Sequence, residues 1–236
     1  MVMEHNDILL KSVPPPGRVS GRPFVTLSYA QSLDGSIAAR SGRPLALSGP
    51  ESLALTHSLR AAHDAILVGI GTLLADNPRL TVRLVAGKNP QPVVVDSRLR
   101  FPSYAALLGN GRTPWIATCQ EADLGRQAAL EAAGARVLRL PSANGWVDLV
   151  SLLAHLRDLG IHSLLVEGGA QVITSFLISR RVDQMVLTIA PLLVGGLRVV
   201  DQLRPSPANR FPRLRQLSYG RLGDDLVVRG EPDWEA

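Results

Sequence analysis

Short apolar runs alternate with helix-length segments along most of the chain, and this alternation constrains the fold more than any other feature. Residues 65–68, 92–97, 115–119 and 163–166 are mostly Val, Ile, Leu and Ala, in runs too short for helices. Further strands are predicted at residues 24–30, 136–140 and 185–189, and helices at residues 50–62, 121–133, 147–159 and 169–180. The sequence therefore predicts an α/β fold, a single doubly wound, mostly parallel sheet with helices on both faces.

The two ends of the chain are expected to depart from this pattern. Residues 1–21 predict a flexible tail, because consecutive prolines at positions 14–16 block helix and strand alike. Segments 214–219 and 226–229 are predicted to be antiparallel additions to the sheet. The chain has 236 residues of even composition, so one domain over residues 22–236 is expected.

The composition excludes several classes of protein. A single cysteine, Cys119, excludes a disulfide framework and gives no metal cluster, and we interpret it as a small core residue. No apolar run is long enough to span a membrane, and the N-terminus lacks the order of a signal peptide, which favours the cytoplasm. The net charge of +5 is spread over scattered arginines, so no nucleic-acid partner is expected. One loose group of arginines comprises Arg204, Arg210, Arg213, Arg215 and Arg221.

Local signals predict how two early segments begin. Ser48, with Glu51 three residues later, predicts a capped start for the helix at residues 50–62. Leu53, Leu55 and Leu59 are expected to face the core from that helix. Between apolar runs, residues 34–35 (Asp-Gly) predict a turn, although a loop that places backbone beside a ligand has the same signature.

Residues 65–83, AILVGIGTLLADNPRLTVR, form the first candidate site stretch. Gly69 and Gly71 follow a buried strand, where the absence of a Cβ lets the backbone approach a ligand closely. Thr72 and Asp76 offer hydrogen bonds, and Arg83 offers a planar fork suited to phosphate. A loop with an Asp-Asn-Pro turn explains the same residues without any ligand.

Residues 164–176, LLVEGGAQVITSF, form the second stretch. A strand, then Glu167, Gly168 and Gly169, then a helix would place free backbone N–H groups where a phosphate can bind. The spacing is not the GxGxxG of the dinucleotide fingerprint, and a tight strand-to-helix turn explains the glycines equally well. Glu167 is compatible either with capping or with accepting two N–H donors from a heterocycle.

Five motifs in one order resemble the reductase of riboflavin biosynthesis, which occurs alone or fused to a deaminase. They are SLDGSIA (32–38), VGIGTLLADNPRLTVR (68–83), VVVDSRLR (93–100), LLVEGGA (164–170) and IAPLLVGG (189–196). The resemblance implies a dihydrofolate-reductase-like fold, usually dimeric, and NADPH-dependent reduction of a phosphoribosylamino-pyrimidine by hydride transfer to ribose C1′. No H-x-E with P-C-x-x-C occurs, so this chain carries no deaminase zinc site.

Carried over by position, the resemblance implies roles for individual residues. Arg60 and Arg83 resemble the clamp for the substrate 5-phosphate, while Leu80 and Glu167 resemble residues that line the pyrimidine. Cofactor contacts are implied for Ala30, Ala46, Thr72, Asp76, Ser97, Gly168, Gly169, Ala170, Gln171, Val172, Ile173, Thr174 and Ser175. Arg98, next to Ser97, is a candidate for the adenosine 2′-phosphate, and Asp76 is the nearest titratable candidate for a proton donor.

Three positions depart from the pattern of the fused enzymes, and they bear on the substrate. Ser28 stands where those enzymes often carry Lys, and Pro44 and Ala46 stand where they tend to have Ser and Trp. The expected substrate is 5-amino-6-(5-phosphoribosylamino)uracil, and the alternative is 2,5-diamino-6-(5-phosphoribosylamino)pyrimidin-4-one. A sister dihydrofolate-type reductase and a non-catalytic binding module are the other hypotheses.

Overall fold

The computed structural model of the chain describes residues 17–43, 45–200, 203 and 211–234. Most of the predicted tail, Pro44, Arg204 and Arg210 lie outside the described residues. The strands are β1 (Phe24–Ser32), β2 (Ser36–Ala38), β3 (Ala65–Gly69), β4 (Gln91–Val95), β5 (Trp115–Cys119), β6 (Arg136–Leu140), β7 (Ser142–Ala143), β8 (Trp146–Val147), β9 (Ser163–Val166), β10 (Gln184–Ala190), β11 (Leu197–Arg198), β12 (Arg213–Leu222) and β13 (Asp225–Asp233). The helices are α1 (Pro50–Ala62), α2 (Ile70–Asp76), α3 (Leu124–Ala132), α4 (Leu149–Asp158) and α5 (Ala170–Ile178), with a 3₁₀ turn at Ala106–Gly109.

Nine strands form one sheet in the order β12-β13-β10-β1-β9-β3-β4-β5-β6. The seven strands from β10 to β6 are parallel, whereas β13 pairs antiparallel with β10 and β12 antiparallel with β13. Both late strands are therefore antiparallel additions, as predicted. Strand β9 inserts between β1 and β3, so the order of strands reverses there, and ligands bind beyond the carboxyl ends at such reversals.

Each central strand is buried on both sides because helices cover both faces of the sheet. In β3, Ala65 and Leu67 join the core cluster that includes residues of α4 and α5. Ile66 and Val68 point the other way, into the cluster that includes residues of α1, α2 and α3. This arrangement confirms the predicted fold class. Cys119 is buried in the first cluster, so its interpretation as a core residue is confirmed.

The predicted cap of α1 is wrong. The N-cap is Gly49 and has no side-chain cap, and its backbone N–H donates to Asp225 Oδ2 at 2.8 Å. A buried carboxylate from β13 thus fixes the helix start in place of Ser48. Leu55 and Leu59 are buried as predicted, but Leu53 is 43% exposed because it faces a cleft instead of the core.

Residues 70–76 form helix α2 where the sequence predicted a loop. Ile70 and Leu73 are buried in the second core cluster, and this packing outweighs the low helix propensity of Gly71. Asn77 ends the helix in the left-handed conformation, φ 40°, with its N–H bonded to the Leu73 carbonyl at 2.9 Å. The glycine-containing stretch therefore begins a helix directly at the end of β3.

Two other helices begin later than predicted because an aspartate caps each one. Asp123 accepts from Arg126 N at 2.6 Å, and Asp148 accepts from Ser151 N at 2.8 Å. The predicted turn at Gly35 is confirmed: its φ is 80° and its N–H bonds to the Ser32 carbonyl at 3.0 Å. Strand β2 pairs with β11 beyond this turn, because both edges of β1 are already taken by β9 and β10.

No helix in the described part of the chain is long and apolar enough to cross a bilayer. Among the same residues, His, Cys, Asp and Glu side chains do not gather in groups of three or more that could hold a metal ion.

Candidate functional site

The carboxyl ends of β1, β3, β4, β9 and β10 open into a cleft of about 750 Å³. A volume of roughly 300–1,000 Å³ is usual for a small-molecule site. The cleft lies where the strand order reverses, and several segments that follow the strands form its walls. The geometry therefore points to this edge of the sheet as the functional site.

Most of the predicted site residues meet in this cleft. Those that line it are Ala30, Ala46, Arg60, Thr72, Asp76, Ser97, Glu167, Gly168, Gly169, Ala170, Gln171, Val172 and Ser175. Leu80, Arg83, Ile173 and Thr174 do not line it. Ile173 is fully buried and packs in the first core cluster.

Leu80 is placed differently from its implied role. It is 4% exposed and packs in the second core cluster, with a positive φ of 53° that a leucine rarely adopts. Leu80 therefore fixes the loop between α2 and β4 by packing into the core. Its implied contact with the pyrimidine stays a prediction.

The N-terminus of α5 faces the cleft. Its N-cap, Gly169, has no side-chain cap, so the first-turn N–H groups of Ala170 and Gln171 are available to a ligand. Such N–H groups and the helix dipole favour a phosphate. The N-terminus of this nine-residue helix is therefore compatible with the phosphate site that the second motif predicted, and phosphate binding there stays a prediction.

The glycines of the two motifs serve packing more than ligand approach. A Cβ on Gly69 would lie 2.6 Å from Val172 Cγ2, and one on Gly168 would lie 2.6 Å from Val172 Cβ. A Cβ on Gly169 would lie 2.9 Å from Thr72 Oγ1. These three positions therefore let α5 press against the ends of β3 and α2, which brings the two candidate stretches together.

Arg60 and Glu167 form a two-point ion pair in the cleft. Arg60 Nε donates to Oε1 at 2.8 Å and Nη2 donates to Oε2 at 2.7 Å, and the two side chains are only 12% and 13% exposed. This pairing raises the pKa of the Arg60 guanidinium in spite of the opposing effect of burial, which is the larger single contribution. Arg60 thereby holds the Glu167 carboxylate in one orientation, with lone pairs left for a ligand.

Arg83 lies beside this pair, although outside the cleft wall. Arg60 Nη1 donates to the Thr81 carbonyl at 3.1 Å, and Arg83 Nη1 donates to Thr81 Oγ1 at 2.8 Å. The Arg83 N–H donates to His57 Nδ1 at 2.8 Å. Burial, followed by the charges of Arg60 and Arg83, lowers the pKa of His57 to about 4, which keeps this imidazole neutral. Arg60 and Arg83 thus lie on either side of Thr81, and of the two Arg60 lines the cleft.

Asp76 and Ser97 occupy two further positions on the wall. Burial raises the pKa of the Asp76 carboxyl at the end of α2. Ser97 is buried, and its Oγ accepts the Val147 N–H at 3.1 Å. Ser97 therefore anchors strand β8, a contact that the sequence did not predict.

A second wall of the cleft comes from residues that were not predicted as site residues. Ile37, Ala38 and Leu197 line it from the β2–β11 ribbon. Asp34 fixes this ribbon by accepting from Val194 N at 3.0 Å and Gly195 N at 2.8 Å. These bonds join the SLDGSIA and IAPLLVGG motifs, which the sequence showed only as separate segments.

Tyr29 and Trp146 also line the cleft and were missed. Burial raises the pKa of Tyr29 to about 12. A signal for Trp146 was present in the sequence, because the Asn144-Gly145 pair before it is a strong marker of a two-residue hairpin.

Comparisons with known proteins identify the family to which the chain belongs. The family model described as the RibD C-terminal domain matches residues 23–228. The chain is 41% identical over 220 residues to the 2,5-diamino-6-ribosylamino-4(3H)-pyrimidinone 5′-phosphate reductase of Methanothermobacter thermautotrophicus, covering 88% of this chain and 97% of that one. The RibD proteins that it also matches are longer, and the chain spans less than two thirds of their length.

Solved structures of related proteins are also similar to this chain. The riboflavin biosynthesis reductase Rib7 of Saccharomyces cerevisiae superposes with a TM-score of 0.77 at 29% identity, covering 98% of this chain and all of that one. A dihydrofolate reductase from Enterococcus faecalis superposes with a TM-score of 0.55 at 13% identity, covering 92% and 99%, which shows the predicted dihydrofolate-reductase-like fold alone. Because the family model matches residues 23–228 and the archaeal reductase is matched over 97% of its length, the chain belongs to the RibD C-terminal domain family.

Proposed function

We propose that this chain is an NADPH-dependent reductase of riboflavin biosynthesis that reduces the ribose of a phosphoribosylamino-pyrimidine to the ribityl form. One observation carries the proposal: the cleft joins an uncapped helix N-terminus to the paired Arg60 and Glu167. The first suits a phosphorylated cofactor, and the second presents a fixed carboxylate to a heterocycle flanked by cationic side chains.

The relatives favour the diamino-pyrimidinone as substrate over the uracil compound that was expected from the sequence. The reductases from Methanothermobacter thermautotrophicus and Candida glabrata, which this chain matches over 97% and 93% of their lengths, are both named for the 2,5-diamino compound. We therefore propose 2,5-diamino-6-ribosylamino-4(3H)-pyrimidinone 5′-phosphate as the preferred substrate. The uracil analogue is the second candidate, because RibD proteins also match.

The residues present fit a nicotinamide dinucleotide. The first-turn N–H groups of α5 would hold its diphosphate, and Thr72 and Ser175 add hydroxyls on the same wall. A Cβ on Gly169 would lie 2.9 Å from Thr72 Oγ1, so Thr72 packs closely against the N-terminus of α5. When bound, NADPH supplies the hydride, and the protein supplies orientation and electrostatics.

The chain's own residues would then bind and orient the substrate. Arg83, exposed beside Thr81, and the Nη1 edge of Arg60 would attract the 5-phosphate. Glu167 would accept N–H groups of the pyrimidine, with Arg60 fixing the direction of its carboxylate. Reduction also consumes a proton, and Asp76 is placed on the cleft wall with a raised pKa to hold one.

Consumption of NADPH, followed by its near-ultraviolet absorbance, tests the proposal directly. Purified protein is given the diamino-pyrimidinone and the uracil compound in parallel, and we expect faster turnover of the diamino compound. Faster turnover of the uracil compound would reverse the substrate choice. NADPH binding with turnover of neither would refute the riboflavin assignment and favour a sister reductase on this fold.

We also propose that the enzyme acts as a homodimer in the cytoplasm. The outer edge strand β12 exposes Leu217 and Tyr219, at 57% and 70%, on a surface that a second copy would cover. A single cysteine suits a reducing compartment. Sedimentation equilibrium of the wild type and of Tyr219→Glu, which we expect to be monomeric, tests the dimer.

A further inference from the structure

A small hairpin holds an exposed tryptophan on the wall of the cleft. Strands β7 and β8 pair antiparallel, with Ala143 opposite Trp146. Asn144 and Gly145, which join them, have φ of 54° and 78°, as a two-residue type I′ turn requires. The turn fixes the backbone of Trp146, whose side chain is still 48% exposed and lines the cleft.

Contacts on the C-terminal side of Trp146 fix the hairpin to the sheet. Val147 is 4% exposed, and its N–H donates to Ser97 Oγ at 3.1 Å. The Asp148 N–H donates to the Pro141 carbonyl at 2.9 Å, and the Asp148 carboxylate caps α4 through Ser151. These contacts therefore fix the backbone that carries the exposed indole. The uncovered face of the indole contributes nothing to the free energy of folding, because it is not removed from water.

The position of this indole separates it from the substrate end of the cleft. Val147 packs in the same core cluster as α5, whereas α1, which carries Arg60, packs on the opposite face of the sheet. Ser97 follows β4, and Glu167 follows β9. These two strands are two positions apart in the sheet, so their ends are separated by roughly 10 Å at ordinary strand spacing. A dinucleotide with its diphosphate at the N-terminus of α5 must send its nicotinamide toward the substrate, so its adenosine extends toward Ser97 and Trp146.

We propose that the indole of Trp146 is the platform on which the adenine ring of NADPH stacks. The proposal rests on the function proposed above and adds the residue that binds the adenine. A planar heteroaromatic base covers the exposed face of an indole and gains both apolar contact and stacking. The pyrimidine of the substrate has the same chemistry, so the experiment must distinguish the two bases.

The test compares Trp146→Ala and Trp146→Phe with wild type by calorimetric titration of NADPH and of 2′,5′-ADP, a probe that has adenine but no nicotinamide. We expect the alanine variant to bind both about tenfold more weakly and the phenylalanine variant to bind almost as wild type, because it keeps an aromatic face. The KM for the pyrimidine substrate should stay within about twofold. Tyr104→Ala, at a residue that is 75% exposed and not part of the cleft wall, is the matched control and should change neither.

Fluorescence gives a second measure that does not depend on turnover. The chain has three tryptophans, so the difference between wild type and Trp146→Phe isolates the emission of Trp146. We expect 2′,5′-ADP to change this difference signal. NADPH affinity that does not depend on Trp146, or a change confined to the KM of the pyrimidine, would overturn the stacking proposal alone. Absence of NADPH binding by wild type would overturn the proposed function and the stacking proposal together.

Discussion

The guanidinium of Arg60 and the carboxylate of Glu167 meet through two hydrogen bonds of 2.8 and 2.7 Å, although 107 positions separate them in the chain. Helix α1 supplies one partner, and the segment that follows β9 supplies the other. The resemblance implied a phosphate contact for Arg60 and a pyrimidine contact for Glu167. Their pairing couples the two contacts, since a change in either side chain alters the position and the electrostatic surroundings of the other.

Glu167→Gln should reduce both stability and activity. The change leaves the Arg60 guanidinium, 12% exposed, without its counter-charge. Because removal of one member of a buried pair strands the other charge, we expect a loss of about 2 kcal/mol in the free energy of unfolding. We expect kcat/KM to fall about 100-fold as the oriented acceptor is lost. Urea unfolding and steady-state kinetics measure the two effects.

Asp183→Asn is the matched control for that substitution. Arg22 and Asp183 form a similar two-point pair, with N–O distances of 2.6 and 2.7 Å and side chains that are 17% exposed, away from the cleft. We expect a comparable loss of stability with kcat/KM retained. Equal losses of activity in the two variants would contradict a specific role for the pair in the cleft.

Gly69→Ala should destabilise the protein, and one second substitution should rescue it. The added Cβ would lie 2.6 Å from Val172 Cγ2, so α5 must shift at a cost of about 1–3 kcal/mol. Val172→Ala removes that methyl group and should restore most of the loss. It should not rescue Gly168→Ala, where the contact is with Val172 Cβ itself at 2.6 Å.

Gly71→Ala is the control that distinguishes the effect of steric overlap on stability from the effect of replacing any glycine in this segment. A Cβ there would meet nothing within 4 Å, and the residue lies inside helix α2. We therefore expect a gain of about 0.5–1 kcal/mol, as for glycine replaced in a helix. Urea midpoints measured in parallel check the series, and a loss for Gly71→Ala would contradict the packing explanation.

Much of the sheet could be predicted because its strands are short, apolar and buried on both faces. The run at Ala65 to Val68 has one plausible structure, and the structure places two of its side chains in each core cluster. Helix α2 could not be predicted, because Gly71 lowers local helix propensity while the burial of Ile70 and Leu73 that decides the outcome is tertiary. The cap of α1 failed for the same reason, since Asp225 comes from another strand.

The candidate site was predictable as a set of segments but not as a set of contacts. Polar residues at the ends of strands indicated the edge of the sheet at which the cleft lies, because parallel strands end on one side. Neither the pairing of Arg60 with Glu167 nor the bonds of Asp34 to the residue 194–195 backbone has a local signature. The Asn144-Gly145 turn did have one, and it would have placed Trp146 at a hairpin.

Asp34→Asn should destabilise the protein at neutral pH, and by progressively less as the pH falls below about 4. The hydroxyl of Ser32, followed by the N–H groups of Val194 and Gly195, holds the pKa of Asp34 well below its usual range. A depressed folded-state pKa contributes stability that is present above the unfolded value of about 3.9 and is lost as the pH falls toward the folded value. Wild type should therefore lose its advantage over Asp34→Asn progressively below about pH 4.

Unfolding in urea over a series of pH values measures this difference. Asp224→Asn is the control, because Asp224 is 92% exposed and makes only a 3.6 Å contact with Arg221. We expect it to differ little from wild type at any pH. A difference for Asp34→Asn that does not change with pH would contradict the role assigned to its hydrogen bonds.

Asp76→Asn should make the protein no less stable and less active. Burial raises the pKa of this carboxyl, so its charged form disfavours the folded state at every pH above the folded pKa. The variant should therefore be at least as stable as wild type near pH 7, with any gain disappearing below the unfolded pKa of about 3.9. We expect kcat to fall about 100-fold if Asp76 holds the proton. Full activity in the variant would exclude that role.

Arg98→Ala should lower the preference for NADPH over NADH. Arg98 is exposed and directly follows Ser97, which lines the cleft where the adenosine is expected. A guanidinium there would pair with the 2′-phosphate that only NADPH carries. We expect the KM for NADPH to rise about tenfold and that for NADH to stay the same. Arg100→Ala is the control. Arg100 is an arginine of the same segment with a side chain that is 52% exposed, but its guanidinium lies 3.9 Å from the Asp96 carboxylate. An unchanged ratio of kcat/KM for the two cofactors in Arg98→Ala would show that another residue reads the 2′-phosphate.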